Sequence, residues 1–298
     1  MTHSEVARCG RVPACAGMLV LWFALTVWVM PLGAITGGES DGDQHPNVGV
    51  VIVRSNRVDP LVFCSGTLID KKIFLTFGRC AQFLKKFLLD KPGNAGSDVE
   101  VFVSFSSDKA LQEGWLPVVQ AVTHPKYNPG RRSNPHDVGI LILEDPVTDI
   151  TPAELPVAGF LDDRRAEGKL SRRQRTEFTV AGYTADGVRR VSVCEYLNLH
   201  KVWLHMSQNQ APNRGDIGTS YGDFGGPVFW VDEDGSVILV AITFSGDSQR
   251  VATGYRLDIP GIWDFIPAYA GTSVTTNLAP PGIVNRLAAT CWGLVKSD

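Results

Sequence analysis

Residues 64–80 read CSGTLIDKKIFLTFGRC, with a cysteine at each end and Arg79 just inside the second. On either side the chain runs as short segments rich in β-branched and aromatic residues. Val48–Val53 (VGVVIV) and Val99–Phe105 (VEVFVSF) are the clearest. Val118–Val122, Val138–Leu143, Phe178–Tyr183, Val202–Met206, Val237–Phe244 and Gly254–Asp258 share the character. Clusters of Gly, Pro, Asn and Asp separate them, and 30 glycines with 18 prolines make the punctuation dense and the elements short. Segments of this kind over about 230 residues suggest an all-β sandwich or a pair of barrels. Helical periodicity is confined to Ala81–Leu89 (AQFLKKFLL) and Ile262–Ala268. The charged run Asp162–Arg175 (DDRRAEGKLSRRQR) reads as a solvated loop or linker rather than a ligand site for Arg172, Arg173 and Arg175, because acids are interleaved just upstream.

A length of 298 residues suits one large domain or two medium ones. Hydrophobic residues at 44% and charged residues at 20% exclude an intrinsically disordered chain. Lys and Arg number 28 against 31 Asp and Glu, so a net charge of -3 offers no bulk attraction to nucleic acid or an acidic membrane. Six cysteines are too few for a disulfide-built miniprotein and too scattered for a zinc motif. CxxC, HExxH and GxxxxGK[ST] are all absent from the sequence, so no metal and no cofactor is expected.

The first 34 residues read as an address. Ala16–Met30 (AGMLVLWFALTVWVM) is one apolar run, preceded by Arg8 and Arg11, broken by Pro31 and followed by Leu32-Gly33-Ala34. This is the layout of a secretory signal peptide. About 15 apolar residues fall short of the ~20 needed to span a bilayer. An uncleaved N-terminal anchor is the alternative, since Leu32 is a weaker residue than Ala at the third position before the cut. Cleavage after Ala34 removes Cys9 and Cys15 and leaves Cys64, Cys80, Cys194 and Cys291. Export, to the periplasm or beyond the cell, puts these in an oxidising compartment where pairing is expected. The mature chain then has no membrane span. Residues 271–298 form a turn-rich tail with an apolar end at Trp292 and Leu294, to which no function attaches.

Four places taken together resemble the trypsin/chymotrypsin-like serine protease family, in the flavour of its secreted bacterial members. Cys64–Cys80 is similar to the family's C-S-G-T-L-I strand followed by L-T-A-[AG]-H-C. Ile35-Thr36-Gly37-Gly38 resembles its mature N-terminus. His136-Asp137-Val138-Gly139-Ile140-Leu141 resembles the segment that carries the catalytic aspartate, and Gly222-Asp223-Phe224-Gly225-Gly226-Pro227 its G-D-S-G-G-P loop. Weaker echoes are His124-Pro125-Lys126-Tyr127, Ala181-Gly182-Tyr183 and Tyr255-Arg256-Leu257-Asp258. Order and spacing hold from residue 35 to about 270. The resemblance implies an all-β fold of two packed six-stranded antiparallel barrels, at about 35–155 and 156–260, with a C-terminal helix. It also implies a Cys64–Cys80 disulfide. Cys194 and Cys291 are left over and could pair with each other.

The family's reaction needs a hydroxyl nucleophile, an imidazole to take its proton and a carboxylate to orient the imidazole. Here Arg79 stands at the histidine position, Phe224 at the serine position, and only the carboxylate Asp137 remains. A guanidinium stays protonated and cannot act as a base. Phe224 has no nucleophilic atom. Either change alone costs on the order of 10⁶ in turnover. Gly222 and Phe224 match the backbone donors of the oxyanion hole. Ile35, once exposed as an α-ammonium, is expected to pair with Asp223. Gly218 replaces the carboxylate that selects basic side chains, and Phe244 matches an aromatic pocket wall. His136 should point away from its neighbour Asp137 on a strand end. His45, His124, His200 and His205 match no catalytic position and read as surface or turn residues. Arg79 is expected to form an ion pair with Asp137, since an unpaired buried carboxylate is costly.

The first functional expectation is therefore a secreted, catalytically inactive protease homologue that binds an unidentified protein or peptide. A weak hydrolase using other residues and an adhesive extracellular scaffold are the alternatives.

Overall fold

The computed structural model describes residues 39–89, 99–108, 110–130, 136–208, 224–246 and 251–269. Six strands close the first barrel in the order β2-β3-β4-β7-β6-β5. They are β2 (Val48–Ser55), β3 (Val58–Asp70), β4 (Ile73–Thr76), β5 (Val99–Ser104), β6 (Leu116–Thr123) and β7 (Gly139–Leu143). Val48 to Ile52 and the whole of β4 are buried, which is what a small closed barrel asks of its apolar runs. Register shifts in β2–β3, β3–β4 and β6–β7 bend the long strands around the closure.

The second barrel runs β8 (Glu177–Tyr183), β9 (Arg189–Leu199), β10 (Trp203–Gln208), β13 (Val251–Arg256), β12 (Val237–Gly246) and β11 (Pro227–Val231). The β11–β8 pair closes the ring through Val228↔Val180 and Phe229↔Thr179. A two-residue strand β1 (Glu39–Ser40) adds to the edge of β9. Every barrel pairing is antiparallel, as expected from the sequence. Among the described residues helices are few: α1 (Gly78–Leu89), α2 (Phe160–Ala166) and α3 (Pro260–Phe265), the last followed by a 3₁₀ turn at Ile266–Ala268.

Two local expectations need correction. The charged run from Asp162 begins inside α2, not in a loop. Phe160 and Leu161 at the start of this helix are buried, and Asp258 Oδ2 accepts the Leu161 N–H at 2.8 Å. Two apolar residues just upstream of the charges are enough to dock one face. His124 is also no surface residue: it is only 5% exposed and stacks on His136 with ring centroids 4.6 Å apart.

The barrels and the incoming N-terminal segment meet at Arg189, whose side chain is fully buried. Its Nε donates to Asp41 Oδ2 at 2.7 Å. Nη1 reaches the carbonyls of Val48 and Phe105, both at 3.0 Å, and Nη2 that of Gly42 at 2.7 Å. Asp41 is equally buried and also accepts the backbone N–H of His45. Cys194 is a free thiol in the second barrel's core, and burial pushes it up to about 12, which makes it inert. Cys291 lies outside the described residues.

Candidate active site

The chain enters the site from β4. Thr76 pairs with Gly139 of β7, so the two segments that carry Arg79 and Asp137 leave adjacent strands side by side. Gly78 makes this crossing possible. A Cβ there would sit 3.0 Å from the Val138 backbone and 3.1 Å from Asp137 Oδ1. Cys80 follows at once and is disulfide-bonded to Cys64 on β3, as the resemblance implied.

Asp137 is fully buried. Its Oδ1 accepts the backbone N–H of Arg79 at 2.8 Å, and Gly78 contributes a second backbone donor. These are first-turn N–H groups of α1, which have no partner inside a helix. The helix has no acid of its own in that turn, so Asp137 caps it from across the barrel. Asp137 Oδ2 is buried without a hydrogen-bond partner. Burial raises the carboxyl above the ordinary aspartate value, and the backbone donors and the Arg79 charge offset that only in part.

The expected Arg79–Asp137 ion pair does not form. Arg79 is exposed, and its guanidinium turns to the Tyr127 hydroxyl. The physical reason lies in the helix start: in the first turn of α1 the backbone N–H of Arg79 faces Asp137, while its exposed side chain projects outward. Tyr127 is raised by its burial and by the Asp137 charge. Tyr255 lies deeper, with its hydroxyl buried and unpartnered; burial first and Asp137 second hold it protonated. Tyr127 and Tyr255 both come from the weaker echoes in the sequence, and the structure gives them a shared neighbour in Asp137.

Phe224, which the sequence resemblance sets at the serine position, is half-buried and packs on Phe77, centroid to centroid 6.1 Å. Its carbonyl accepts the Ser65 N–H of β3 at 3.0 Å, which ties the loop to the first barrel. Gly225 follows at φ 87°, and a Cβ there would lie 2.4 Å from Thr76 Oγ1 and 2.6 Å from the Ser65 carbonyl. Only glycine fits that turn. Thr243 clamps it from the other side, with Gly225 N to Thr243 O at 2.9 Å and Thr243 N to Gly226 O at 2.8 Å. Phe244 is half-buried against Trp203, with centroids 4.9 Å apart, and Trp203 in turn meets Tyr255 at 5.7 Å.

Ile35, Gly218, Gly222 and Asp223 lie outside the described residues. Among the described histidines none takes the place beside Asp137. His136 faces His124, His45 is bonded to Asp41, and His200 lies against His205.

Two six-stranded antiparallel barrels, a buried aspartate at the foot of a short helix and a glycine-locked loop define the class of double-barrel serine proteases. The Trypsin family model matches residues 34–261, and the chain belongs to that family. No curated protein matches the sequence.

Proposed function

We propose that this trypsin-family domain is exported and non-catalytic, and that it acts by binding a protein or peptide. The observation that carries this reading is the state of Asp137. Its Oδ1 serves the backbone of α1, and its Oδ2 meets no donor where an imidazole N–H would stand. Without a base, even a hydroxyl at position 224 would be a weak nucleophile, and Phe224 supplies none. The Cys64–Cys80 disulfide fits an extracellular protein. Family membership alone cannot carry activity, because function lives in the site rather than in the fold.

A fluorophosphonate probe, which labels only an activated serine, tests the reading directly. The wild-type chain stays unlabelled, while the Arg79→His, Phe224→Ser double variant gains labelling if the remaining site is intact. Stoichiometric labelling of the wild type overturns the proposal. Capture of a defined ligand from the extracellular fraction by the wild-type domain then identifies the partner.

A further inference from the structure

The β9–β10 hairpin carries a pair of imidazoles that the triad positions do not use. His205 lies directly opposite Asn198 in the ladder, while its neighbours Leu204 and Met206 point into the core. Its side chain therefore faces outward, on the same face as the exposed Asn198 and His200. The two histidine rings lie 4.7 Å apart, centroid to centroid, with planes inclined at 58°. His200 Nε2 lies 3.2 Å from Nδ2 of Asn198, the ladder partner of His205.

That arrangement is built rather than accidental to a floppy turn. The His200 N–H donates to the Trp203 carbonyl at 2.8 Å, and Arg256 donates from Nη1 to the His200 carbonyl at 2.8 Å. Arg256 is itself 3% exposed and forked onto Asp258 by bonds of 2.8 and 2.7 Å. The backbone of the hairpin turn is thus pinned from the barrel interior, and only the rings retain freedom.

We propose that His200 and His205 form a two-imidazole site for a divalent transition metal ion of the zinc, copper and nickel group, completed by water or by a ligand from a binding partner. Two imidazole nitrogens held at about 2.0–2.1 Å by a tetrahedral ion place their ring centroids about 5 Å apart. The rings are already within a small rotamer adjustment of that spacing. Nitrogen donors select borderline ions over calcium and magnesium. The surroundings reinforce the choice. Asp162 and Asp258 are engaged by Arg256, and Asp162 also pairs with Arg165, so neither carboxylate is free to hold a hard cation.

Calorimetric titration of the purified chain with zinc chloride provides the test, with circular dichroism to confirm that each variant is folded. The wild type binds one equivalent. Affinity falls about tenfold or more in His200→Ala and in His205→Ala, and is unchanged in His136→Ala. Copper titrated into the wild type gives an electron paramagnetic resonance spectrum with nitrogen hyperfine structure from two imidazoles. Absence of saturable zinc binding up to millimolar concentration overturns the proposal. So does equal affinity in His205→Ala, or a loss confined to His136→Ala.

Discussion

Removing one partner of the buried Arg189–Asp41 pair leaves an uncompensated charge in the interior of the fold. Both side chains are fully buried, and the guanidinium joins three parts of the molecule: the segment at Asp41 and Gly42, the first barrel at Val48 and Phe105, and its own second barrel. In Arg189→Met the methionine fills the volume, but a buried carboxylate and the carbonyls of Gly42, Val48 and Phe105 lose their donor. Breaking a buried pair by deleting one partner costs about 3–5 kcal/mol. At about 2–4 °C per kcal/mol for a domain of this size, the melting temperature falls by about 6–20 °C. Asp41→Asn leaves the guanidinium charge behind instead and has a comparable effect.

The double variant Asp41→Asn, Arg189→Met separates burial of a charge from loss of a contact. It removes both charges, so its destabilisation is smaller than the sum of the two singles. Urea unfolding followed by tryptophan fluorescence gives all four corners of the cycle. Singles that each lose less than about 1 kcal/mol, the range of an exposed pair, or strict additivity in the double variant refute the clasp. Acid provides a second handle. Desolvation pulls the Asp41 carboxyl up, but the bonds from His45 and Arg189 outweigh it and hold it below the ordinary value. Its stabilising contribution is therefore present above the unfolded pKa of about 3.9 and is lost as pH falls through the lower folded value. Arg189→Met flattens that acid limb.

The stacked His124–His136 pair sets another pH dependence. Burial, first in both cases, lowers both rings; the Lys126 charge lowers both further, His124 lowers His136, and Asp264 and the Gly261 carbonyl oppose this at His124. Folded values below the unfolded value of about 6.5 mean that stability is full above that pH and declines below it; melting curves from about pH 7.5 to 5 show a shallower decline in His136→Gln. Asp137→Asn keeps the acceptor for the Arg79 N–H and removes a charge whose pKa burial has raised, so the variant melts higher than wild type at pH 7 and gains less at pH 4; a lower melting temperature at pH 7 contradicts the account of Oδ2. Replacing Cys64 and Cys80 together by alanine opens a loop of sequence separation 16, which the chain-entropy relation values at about 3 kcal/mol, read as a fall in the urea midpoint.

Runs of β-branched and aromatic residues made most strands legible, and four short motifs in order made the barrels and the disulfide legible. The same motifs located Asp137, Arg79 and Phe224 but not the direction of their side chains. Arg79 reads as a cation facing a carboxylate; its backbone, not its charge, makes the contact, because helix geometry decides which way a first-turn residue points. Arg189 was harder still. In the run RRVSV an arginine reads as surface, and its burial depends on acceptors as far as 148 residues away in sequence. Strand β9 stayed hidden for the same reason, since its inward positions include that arginine. A short helix such as α2 depends on two apolar residues and one distant aspartate, and no periodicity in seven residues announces it.

Asp137 has a structural role that needs neither an imidazole nor a nucleophile beside it. A carboxylate that only oriented an imidazole would be a liability once the imidazole was gone, since its burial is unfavourable and Oδ2 has no donor. Oδ1, however, satisfies first-turn N–H groups that no acid within α1 supplies, so deleting the side chain would expose a helix end inside the barrel junction. Arg79 points outward to Tyr127, and the Phe224 ring lies half-buried on Phe77 while its backbone makes the structural bonds. A substitution that keeps an acceptor at position 137 is therefore tolerated, whereas deleting that side chain, or adding a Cβ at Gly225, disturbs the junction.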